Sequence, residues 1–210
     1  MNADSTIETR ARALRDLMSA RRSVRRFEAS RPVPLAAVLD CVAIAAGAPS
    51  GANMQPWTFV VVDDLEMKRA IRTRAEEVER DFYLHRAPAE WKERLAPLGT
   101  DAHKPFLEDA PLLICVFVQR HGVDAQGAEV RHYWPTESCA IAVGFLLSAL
   151  HQLGLGSLTY TPSPAGFLGS LLDRPPNERP LMIVAVGYPA PDWVPPSIGR
   201  KPEADYLRVV

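Results

Sequence analysis

The sequence predicts an α+β domain in which helices pack against a sheet. Segments with apolar residues at helical spacing alternate along the chain with short runs of β-branched and aromatic residues, which is the pattern that helices and strands produce. With 210 residues, 47% of them hydrophobic, the chain is long enough to bury a sizeable core in one domain. We therefore expect residues 1–210 to form a single domain.

The N-terminal part is predicted to supply two helices, a strand and a long third helix. Residues 5–20 carry apolar side chains on one face and predict a helix. Residues 34–47 show the same pattern and begin with Pro34, a residue that suits the first turn of a helix. Residues 57–62 are all β-branched or aromatic and predict a buried strand. A charged but periodic segment over about 65–86 predicts the long helix.

The C-terminal part is predicted to complete the sheet. Residues 136–153 are almost wholly apolar and stop at Gly154, so this helix should be central and covered on all sides. A short helix is expected over 167–172. Three further runs predict strands: 112–118, 157–161 and 181–186.

Two segments fit neither a helix nor a strand. Residues 87–105 contain three prolines and a glycine, and such a long connection is often a lid over a site. Residues 188–210 contain five prolines and no helical period, which predicts an extended C-terminal arm. The arm carries Trp193 and Tyr206, which need a surface to cover them. A second subunit would provide it, so we expect a homodimer.

Charge and cysteine content exclude several classes of function. The formal net charge is −1, which gives no general attraction to nucleic acid or to an anionic membrane. No apolar run reaches transmembrane length and the N-terminus is polar, so we expect a soluble, cytoplasmic protein. Cys41, Cys115 and Cys139 are widely spaced, and the histidines lack ligand spacing, so we expect core thiols and no metal site.

A basic run follows the first predicted helix. Residues 21–27, RRSVRRF, place four guanidinium groups within six residues, and planar guanidiniums pair bidentately with phosphate oxygens. Because the positive charge is local in a chain that is otherwise balanced, it suits one dianionic phosphate better than a polyanion. The alternative is an ordinary solvated run of basic residues.

A turn of small residues, called here the pocket turn, precedes the first predicted strand. Its sequence is APSGANMQPW, residues 48–57. Small side chains let backbone amides approach a flat ligand, and Ser50, Asn53 and Gln55 can form hydrogen bonds with it. The basic run and the pocket turn are separated by a single helix-length apolar segment.

Three polar side chains lie on the long helix and at the end of the lid. Glu79 and Tyr83 are four residues apart and project from one helical face, and Lys104 stands at the far end of the lid. If they converge, Glu79 can bind an α-ammonium group and Lys104 an α-carboxylate. From spacing alone, the charged outer face of a helix accounts better for Glu79.

Together these motifs resemble the FMN-dependent nitroreductase superfamily, and the chain from Arg21 onward is similar to its iodotyrosine deiodinase subfamily. The resemblance is carried by RRSVR, PVP, APSGA, PWTFVVV, the Glu-x-x-x-Tyr pair, the lysine 21 residues after that tyrosine, DAPLLI, HG, TxTP, RP, GYP and RKP. It implies a three-layer α-β-α fold with a mixed, mainly antiparallel sheet. It also implies non-covalently bound FMN and a homodimer in which each arm extends onto the partner subunit.

The resemblance also implies roles for individual residues. Contacts to FMN are implied for the following: Arg21, Arg22, Ser23, Val24, Arg25, Pro49, Ser50, Asn53, Thr159, Tyr160, Thr161 and Arg200. Contacts to the substrate are implied for Ala52, through its backbone, and for Glu79, Tyr83 and Lys104. Thr161 is the implied catalytic residue, with its hydroxyl bonded to flavin N5. Without the resemblance, Thr159 and Thr161 are ordinary strand residues.

The implied activity is reductive dehalogenation of halogenated tyrosines or related halophenols, with NAD(P)H or another reductant as the electron donor. Two alternatives use the same features: a broad NAD(P)H-dependent nitroaromatic or quinone reductase, and a flavin-binding protein without catalytic activity. The set of Glu79, Tyr83 and Lys104 favours the dehalogenase, because a nitroarene offers no zwitterion to bind. Tyr160 stands where the subfamily has a small polar residue.

Overall fold

The computed structural model describes residues 3–210, with side chains from Thr6 onward. The helices are α1 (Ala3–Ser19), α2 (Leu35–Ala46), α3 (Leu65–Asp81), α4 (Ala89–Leu95), α5 (Phe106–Asp109), α6 (Pro135–Gln152) and α7 (Phe167–Leu171). The strands are β1 (Trp57–Val62), β2 (Leu112–Gln119), β3 (His121–Val123), β4 (Glu129–Arg131), β5 (Gly156–Tyr160) and β6 (Glu178–Gly187). Short 3-10 turns occupy Gly51–Asn53, Ala96–Leu98 and Glu203–Asp205.

The main sheet has four strands in the order β1-β2-β6-β5, and each neighbouring pair is antiparallel. β1 and β5 are therefore its two edges. β3 and β4 pair separately as a small hairpin. An isolated parallel bridge joins Ser23 to Ser157, so the basic run lies beside the outer edge of β5.

Helices cover both faces of the sheet. Along β2, Cys115 faces a hydrophobic cluster that contains Ile71 of α3, whereas its neighbours Ile114 and Val116 face a second cluster that contains Leu146 of α6. Because both faces of β2 are buried, its sequence is apolar from Leu112 to Val118 rather than alternating. This three-layer α-β-α arrangement confirms the predicted fold class.

Most predicted elements agree with the structure to within a few residues. β1 occupies the predicted residues 57–62, and β6 extends the strand predicted over 181–186 to Glu178–Gly187. The β3–β4 hairpin is missing from the prediction, because each of its strands has only three residues and a mixed polar composition.

Three details of the helical prediction are wrong. The helix predicted over about 65–86 ends at Asp81, and Phe82–Arg86 continues as a π-helical turn. The lid contains α4 instead of being irregular throughout. α6 is not covered on all sides within the chain, since Ile141 and Phe145 are 45% and 43% exposed on the face turned away from the sheet.

The three cysteines are buried free thiols, as expected. Burial raises the pKa of the Cys115 and Cys139 thiols to about 12, so both stay protonated at neutral pH. None of the described helices is long and apolar enough to cross a membrane.

Candidate functional site

A cavity of about 590 Å³ opens beside β5. This volume falls in the range of about 300–1,000 Å³ that small-molecule sites occupy. Its walls come from the basic run, the end of the lid, the start of α5, β5 and the first residues of the arm. Among the lining residues are Arg25, Arg26, Lys104, Phe106, Thr159, Tyr160 and Trp193.

The basic run reaches the cavity because it lies along the edge of β5. Val24 N–H donates to the carbonyl oxygen of Ser157 at 3.0 Å, and Val24 is 3% exposed. Gly156 permits this close approach, since a Cβ at that position would lie 2.7 Å from Val24 Cγ2. With Val24 directed into the core, the neighbouring Arg25 stands at the cavity wall.

The first residues of the arm hold the other side of the basic run. Ala190 N–H donates to the carbonyl oxygen of Arg26 at 3.0 Å. The guanidinium of Arg26 pairs with the carboxylate of Asp192 at 2.9 Å. Because these two residues are 166 positions apart, nothing in the local sequence indicates the pair. Arg26 is therefore neutralised within the chain.

The other guanidiniums of this region are not neutralised by a carboxylate of the chain. Arg22, Arg25 and Arg200 donate to backbone carbonyl oxygens at 2.7, 3.3 and 3.1 Å. Among the residues whose side chains are described, neither these three arginines nor Arg21 forms an ion pair with a carboxylate. Burial lowers the pKa of Arg25, which reflects the cost of holding a cation there. A phosphate would supply the missing counter-ion.

Glu79 and Lys104 meet in a buried ion pair on the α3 side of the cavity. Lys104 Nζ lies 3.2 Å from Glu79 Oε2, and the two residues are 3% and 8% exposed, respectively. The Tyr160 hydroxyl donates to the other carboxylate oxygen, Oε1, at 3.0 Å. Lys104 and Tyr160 line the cavity, and Glu79 stands behind them. The convergence that the sequence left open is therefore present, with each charge satisfied inside the chain.

Tyr83 connects the end of α3 to the lid. Its hydroxyl donates to the carbonyl oxygen of Thr100 at 3.4 Å, and Lys104 Nζ lies 5.5 Å from its ring centroid, within the range of a cation–π contact. Lys104 Nζ also donates to Thr100 Oγ1 at 3.4 Å and to the carbonyl oxygen of Asp101. Burial, followed by the nearby Glu79 carboxylate, raises the pKa of Tyr83.

A second carboxylate, Glu76, fixes the backbone at Lys104. Glu76 Oε1 accepts from Lys104 N–H at 2.9 Å and from Arg72 Nε at 2.8 Å. Although burial acts in the opposite direction, the hydrogen bonds from Arg72 and from the Lys104 backbone lower the pKa of Glu76. This role of Glu76 is not predictable from the sequence, because spacing does not distinguish Glu76 from its neighbour Glu77.

The pocket turn has a strained backbone. Ala52, Asn53 and Gln55 have φ angles of 50°, 55° and 48°, and the left-handed region costs a residue other than glycine about 1–2 kcal/mol. The hydroxyl of Ser50 stabilises the turn by accepting from Gln55 N–H at 2.9 Å. Such strain is typical of functional sites.

The pocket turn does not line the cavity beside β5. It enters β1 at Trp57, which pairs with Val118 at one end of β2. The basic run joins β5 at Ser157, which pairs with Val186 and so lies level with Leu112 at the other end of β2. The two motifs thus occupy diagonally opposite corners, roughly 14 Å apart across the strands and roughly 20 Å along them.

One chain therefore assembles only part of the predicted site. Of the predicted residues, Arg25, Lys104, Thr159 and Tyr160 line the cavity, and Glu79 and Tyr83 contact Lys104. Four others belong to the basic run, Arg21, Arg22, Ser23 and Val24, and Arg200 donates to the carbonyl oxygen of Arg21. Thr161 follows β5 directly and is exposed. Residues at the opposite corner are Pro49, Ser50, Ala52 and Asn53.

Known proteins share both the sequence and the fold. The model of the nitroreductase family matches residues 18–188. An iodotyrosine deiodinase from Haliscomenobacter hydrossis is 50% identical over 192 residues, which cover 91% of this chain and 86% of that protein. The iodotyrosine deiodinase of Nematostella vectensis is 41% identical over 186 residues, which cover 88% of this chain and 70% of that protein.

A solved structure extends the similarity to three dimensions. The crystal structure of an oxidized iodotyrosine deiodinase bound to FMN and 3-iodo-L-tyrosine matches with a TM-score of 0.80 at 34% sequence identity. The match covers 93% of this chain and 100% of the other.

Proposed function

Because the chain belongs to the nitroreductase family, we propose that it is an FMN-dependent oxidoreductase that reductively dehalogenates halogenated tyrosines or related halophenols. The observation that carries the substrate class is the buried pair of opposite charges, Glu79 and Lys104, beside a cavity of small-molecule size. The 50% identity to an iodotyrosine deiodinase supports the same assignment.

The reaction replaces the carbon–halogen bond of the ring with a carbon–hydrogen bond. It consumes a pair of electrons and a proton and releases halide, and NAD(P)H or another reductant provides the electrons. FMN, when bound, delivers these electrons to the substrate, while the protein binds, orients and shields the reactants.

The residues present fit FMN. The guanidiniums without carboxylate partners, those of Arg21, Arg22, Arg25 and Arg200, would hold its phosphate, since charge-assisted hydrogen bonds are about twice as strong as neutral ones. The remaining cofactor contacts are assigned to Ser23, Val24, Pro49, Ser50, Asn53, Thr159, Tyr160 and Thr161. Of these, Thr161 would place its hydroxyl at flavin N5.

The substrate zwitterion would bind between the two buried charges. Glu79 would accept the α-ammonium group, and Lys104, with the hydroxyl of Tyr83 nearby, would bind the α-carboxylate. The exchange replaces one ion pair with two and leaves no buried charge unpaired, which a neutral amino-acid analogue would not achieve. Ala52 N–H would donate to the phenolate.

A complete site requires a second subunit, so we propose a homodimer. Its first support is the position of the pocket turn at the sheet corner opposite the basic run, because an antiparallel pair of subunits can bring unlike corners together. Its second support is the open apolar groove between α2 and α6, lined by Ile44, Phe145 and Leu153. Its third is the arm, residues 188–210, where Val194 and Tyr206 are 79% and 68% exposed.

The lid, residues 87–105, would close the site over bound substrate. Its end is fastened to Glu76 of α3 through Lys104 and to Tyr83 of the turn after α3 through Thr100, whereas α4 contributes no buried residue. We therefore expect the middle of the lid to move and its end at Lys104 to stay in place, so that water is excluded when substrate binds.

The test compares two activities of the purified holoenzyme. Release of iodide from 3-iodotyrosine and reduction of a nitroarene are measured with the same reductant. Dehalogenation of 3-iodotyrosine that is faster than reduction of the nitroarene supports the proposal. Nitroreduction without dehalogenation would favour the broad reductase, and bound FMN without either activity would favour the non-catalytic protein.

A further inference from the structure

Tyr160 makes a contact that its place on a strand does not require. Its hydroxyl donates to Glu79 Oε1 at 3.0 Å across 81 positions of sequence. Its ring packs edge-on against Phe106, with the centroids 5.5 Å apart, and Lys104 Nζ lies 5.7 Å from its centroid. The side chain therefore reaches from β5 to α3 and touches both buried charges.

The two oxygens of Glu79 have separate partners. Oε1 accepts from Tyr160, and Oε2 faces Lys104 Nζ at 3.2 Å. A buried carboxylate oxygen without a donor is costly, so the hydroxyl of Tyr160 determines which oxygen is left for an ammonium group. Burial and the Glu79 carboxylate raise the pKa of Tyr160, which keeps this hydroxyl a donor.

An incoming zwitterion can use this division of the carboxylate. Its ammonium group takes the position of Lys104 Nζ at Oε2, and its carboxylate binds the displaced Nζ. Tyr160 stays on Oε1 throughout, so the carboxylate of Glu79 does not rotate. A halophenol without the amino-acid group makes no use of the arrangement.

We propose that Tyr160 is a positioning residue for the substrate, whose hydroxyl orients the Glu79 carboxylate toward the α-ammonium group and so sets the preference for halogenated amino acids over simple halophenols. This inference rests on the proposed function, and it gives the Tyr160 side chain a role apart from any contact of its backbone with FMN.

The test is Tyr160→Phe, which keeps the ring against Phe106 and removes only the hydroxyl. Binding of 3-iodotyrosine and of 2-iodophenol to the oxidised holoenzyme is followed by flavin fluorescence. We expect the affinity for iodotyrosine to weaken, and KM to rise, by about tenfold. The reason is that a Glu79 carboxylate without a donor at Oε1 is free to rotate and no longer presents Oε2 to the ammonium group. The affinity for iodophenol should fall less than the affinity for iodotyrosine, and kcat for iodotyrosine should fall less than KM rises.

Tyr188→Phe is the matched control, because it removes a hydroxyl from a ring that packs under Arg31, 3.4 Å from the guanidinium carbon, away from Glu79. The inference would be overturned if Tyr160→Phe lost affinity equally for both ligands, or if it lost no affinity for iodotyrosine. If wild type itself does not bind iodotyrosine, the proposed function fails first, so the two failures are distinct.

A crystal structure of the wild-type holoenzyme with 3-iodotyrosine tests the same idea without a mutation. The Tyr160 hydroxyl should remain within about 3.2 Å of Glu79 Oε1, with the ammonium group at Oε2. An ammonium group on the Tyr160 side of the carboxylate, or a Tyr160 that has left Glu79, would contradict the inference.

Discussion

Two corners of the sheet that carry the proposed site differ in how far one chain completes them. Beside β5, the buried charges Glu79 and Lys104 are paired, and Tyr160 donates to the same carboxylate. At the pocket turn, Ala52 and Asn53 are exposed and hold left-handed backbone conformations. The first corner is stabilised by its own side chains, whereas the second is held by local backbone contacts and presents an open surface.

The difference indicates a division of labour. Paired side chains at the β5 corner can recognise charge on a ligand, because removing either partner from a buried pair is costly. An exposed backbone at the pocket turn can offer amide groups to a ligand that another surface holds.

The largest effect is expected from keeping the corners of two subunits apart. Phe145→Asp places a carboxylate in the apolar groove between α2 and α6, where its desolvation would oppose dimer formation. We expect a monomer in size-exclusion chromatography, with loss of both FMN and activity. Leu65→Asp is the control, since Leu65 is 45% exposed at the N-terminus of α3 in the opposite layer, where a carboxylate is tolerated. A wild type that is monomeric with FMN bound would refute the dimer.

The next largest effect tests the anion site of the β5 corner alone. Arg21→Ala combined with Arg22→Ala removes two guanidiniums, each worth about 1.5–3 kcal/mol in a hydrogen bond to a charged group. We expect the purified variant to be colourless, with FMN affinity reduced by at least a hundredfold, or about 3 kcal/mol. Arg12→Ala with Arg15→Ala removes the same charge from α1 and should leave the protein yellow. A double variant of the basic run that retains FMN would locate the phosphate elsewhere.

Much of the β5 corner was predictable from sequence, but its internal pairing was not. The basic run, Glu79 and Lys104 stand out by residue type and by resemblance to a family. The bond from Tyr160 to Glu79 depends on the packing of β5 against α3, which no local pattern encodes. β1 was predicted to the residue because its sequence is β-branched or aromatic throughout.

The opposite corner was predictable in composition but not in position. Small residues and Asn53 indicate a turn with unusual backbone angles. Its distance from the basic run follows from the strand order β1-β2-β6-β5, which depends on long-range pairing. The exposed face of α6 escaped prediction for a related reason, since an apolar sequence does not distinguish a helix face that packs within the chain from one that the chain leaves exposed.

An intermediate effect separates recognition of charge from catalysis. Glu79→Gln and Lys104→Ala each leave one end of a zwitterion unpaired in a buried site, which costs about 2–5 kcal/mol. We expect halotyrosine binding to weaken accordingly, while FMN stays bound and nitroarene reduction changes little. Dehalogenation and nitroreduction are assayed side by side on both variants.

Glu77→Gln and Lys92→Ala are the controls for these two variants, because Glu77 and Lys92 are exposed in the same two segments. Equal loss of both activities in Glu79→Gln and Lys104→Ala would show that the buried pair is structural. No loss of either activity would favour the broad nitroaromatic or quinone reductase.

The smallest effect is expected at the pocket turn, where the backbone rather than a side chain is proposed to act. Ala52→Gly relieves a left-handed conformation that costs alanine about 1 kcal/mol, and this gain is largely offset by the greater entropy of an unfolded glycine, about 0.4–1 kcal/mol. The free energy of unfolding should therefore change by less than about 1 kcal/mol, and FMN content and dehalogenation should be retained. Ala52→Val keeps the same backbone position but adds a β-branch that the left-handed region disfavours, so it should destabilise the protein and reduce dehalogenation more than nitroreduction. Urea unfolding of both variants at one protein concentration measures the stability difference. If Ala52→Gly abolishes dehalogenation while the protein stays folded with FMN bound, the alanine methyl group itself contributes to the site, and the contrast between a corner of side chains and a corner of backbone does not hold.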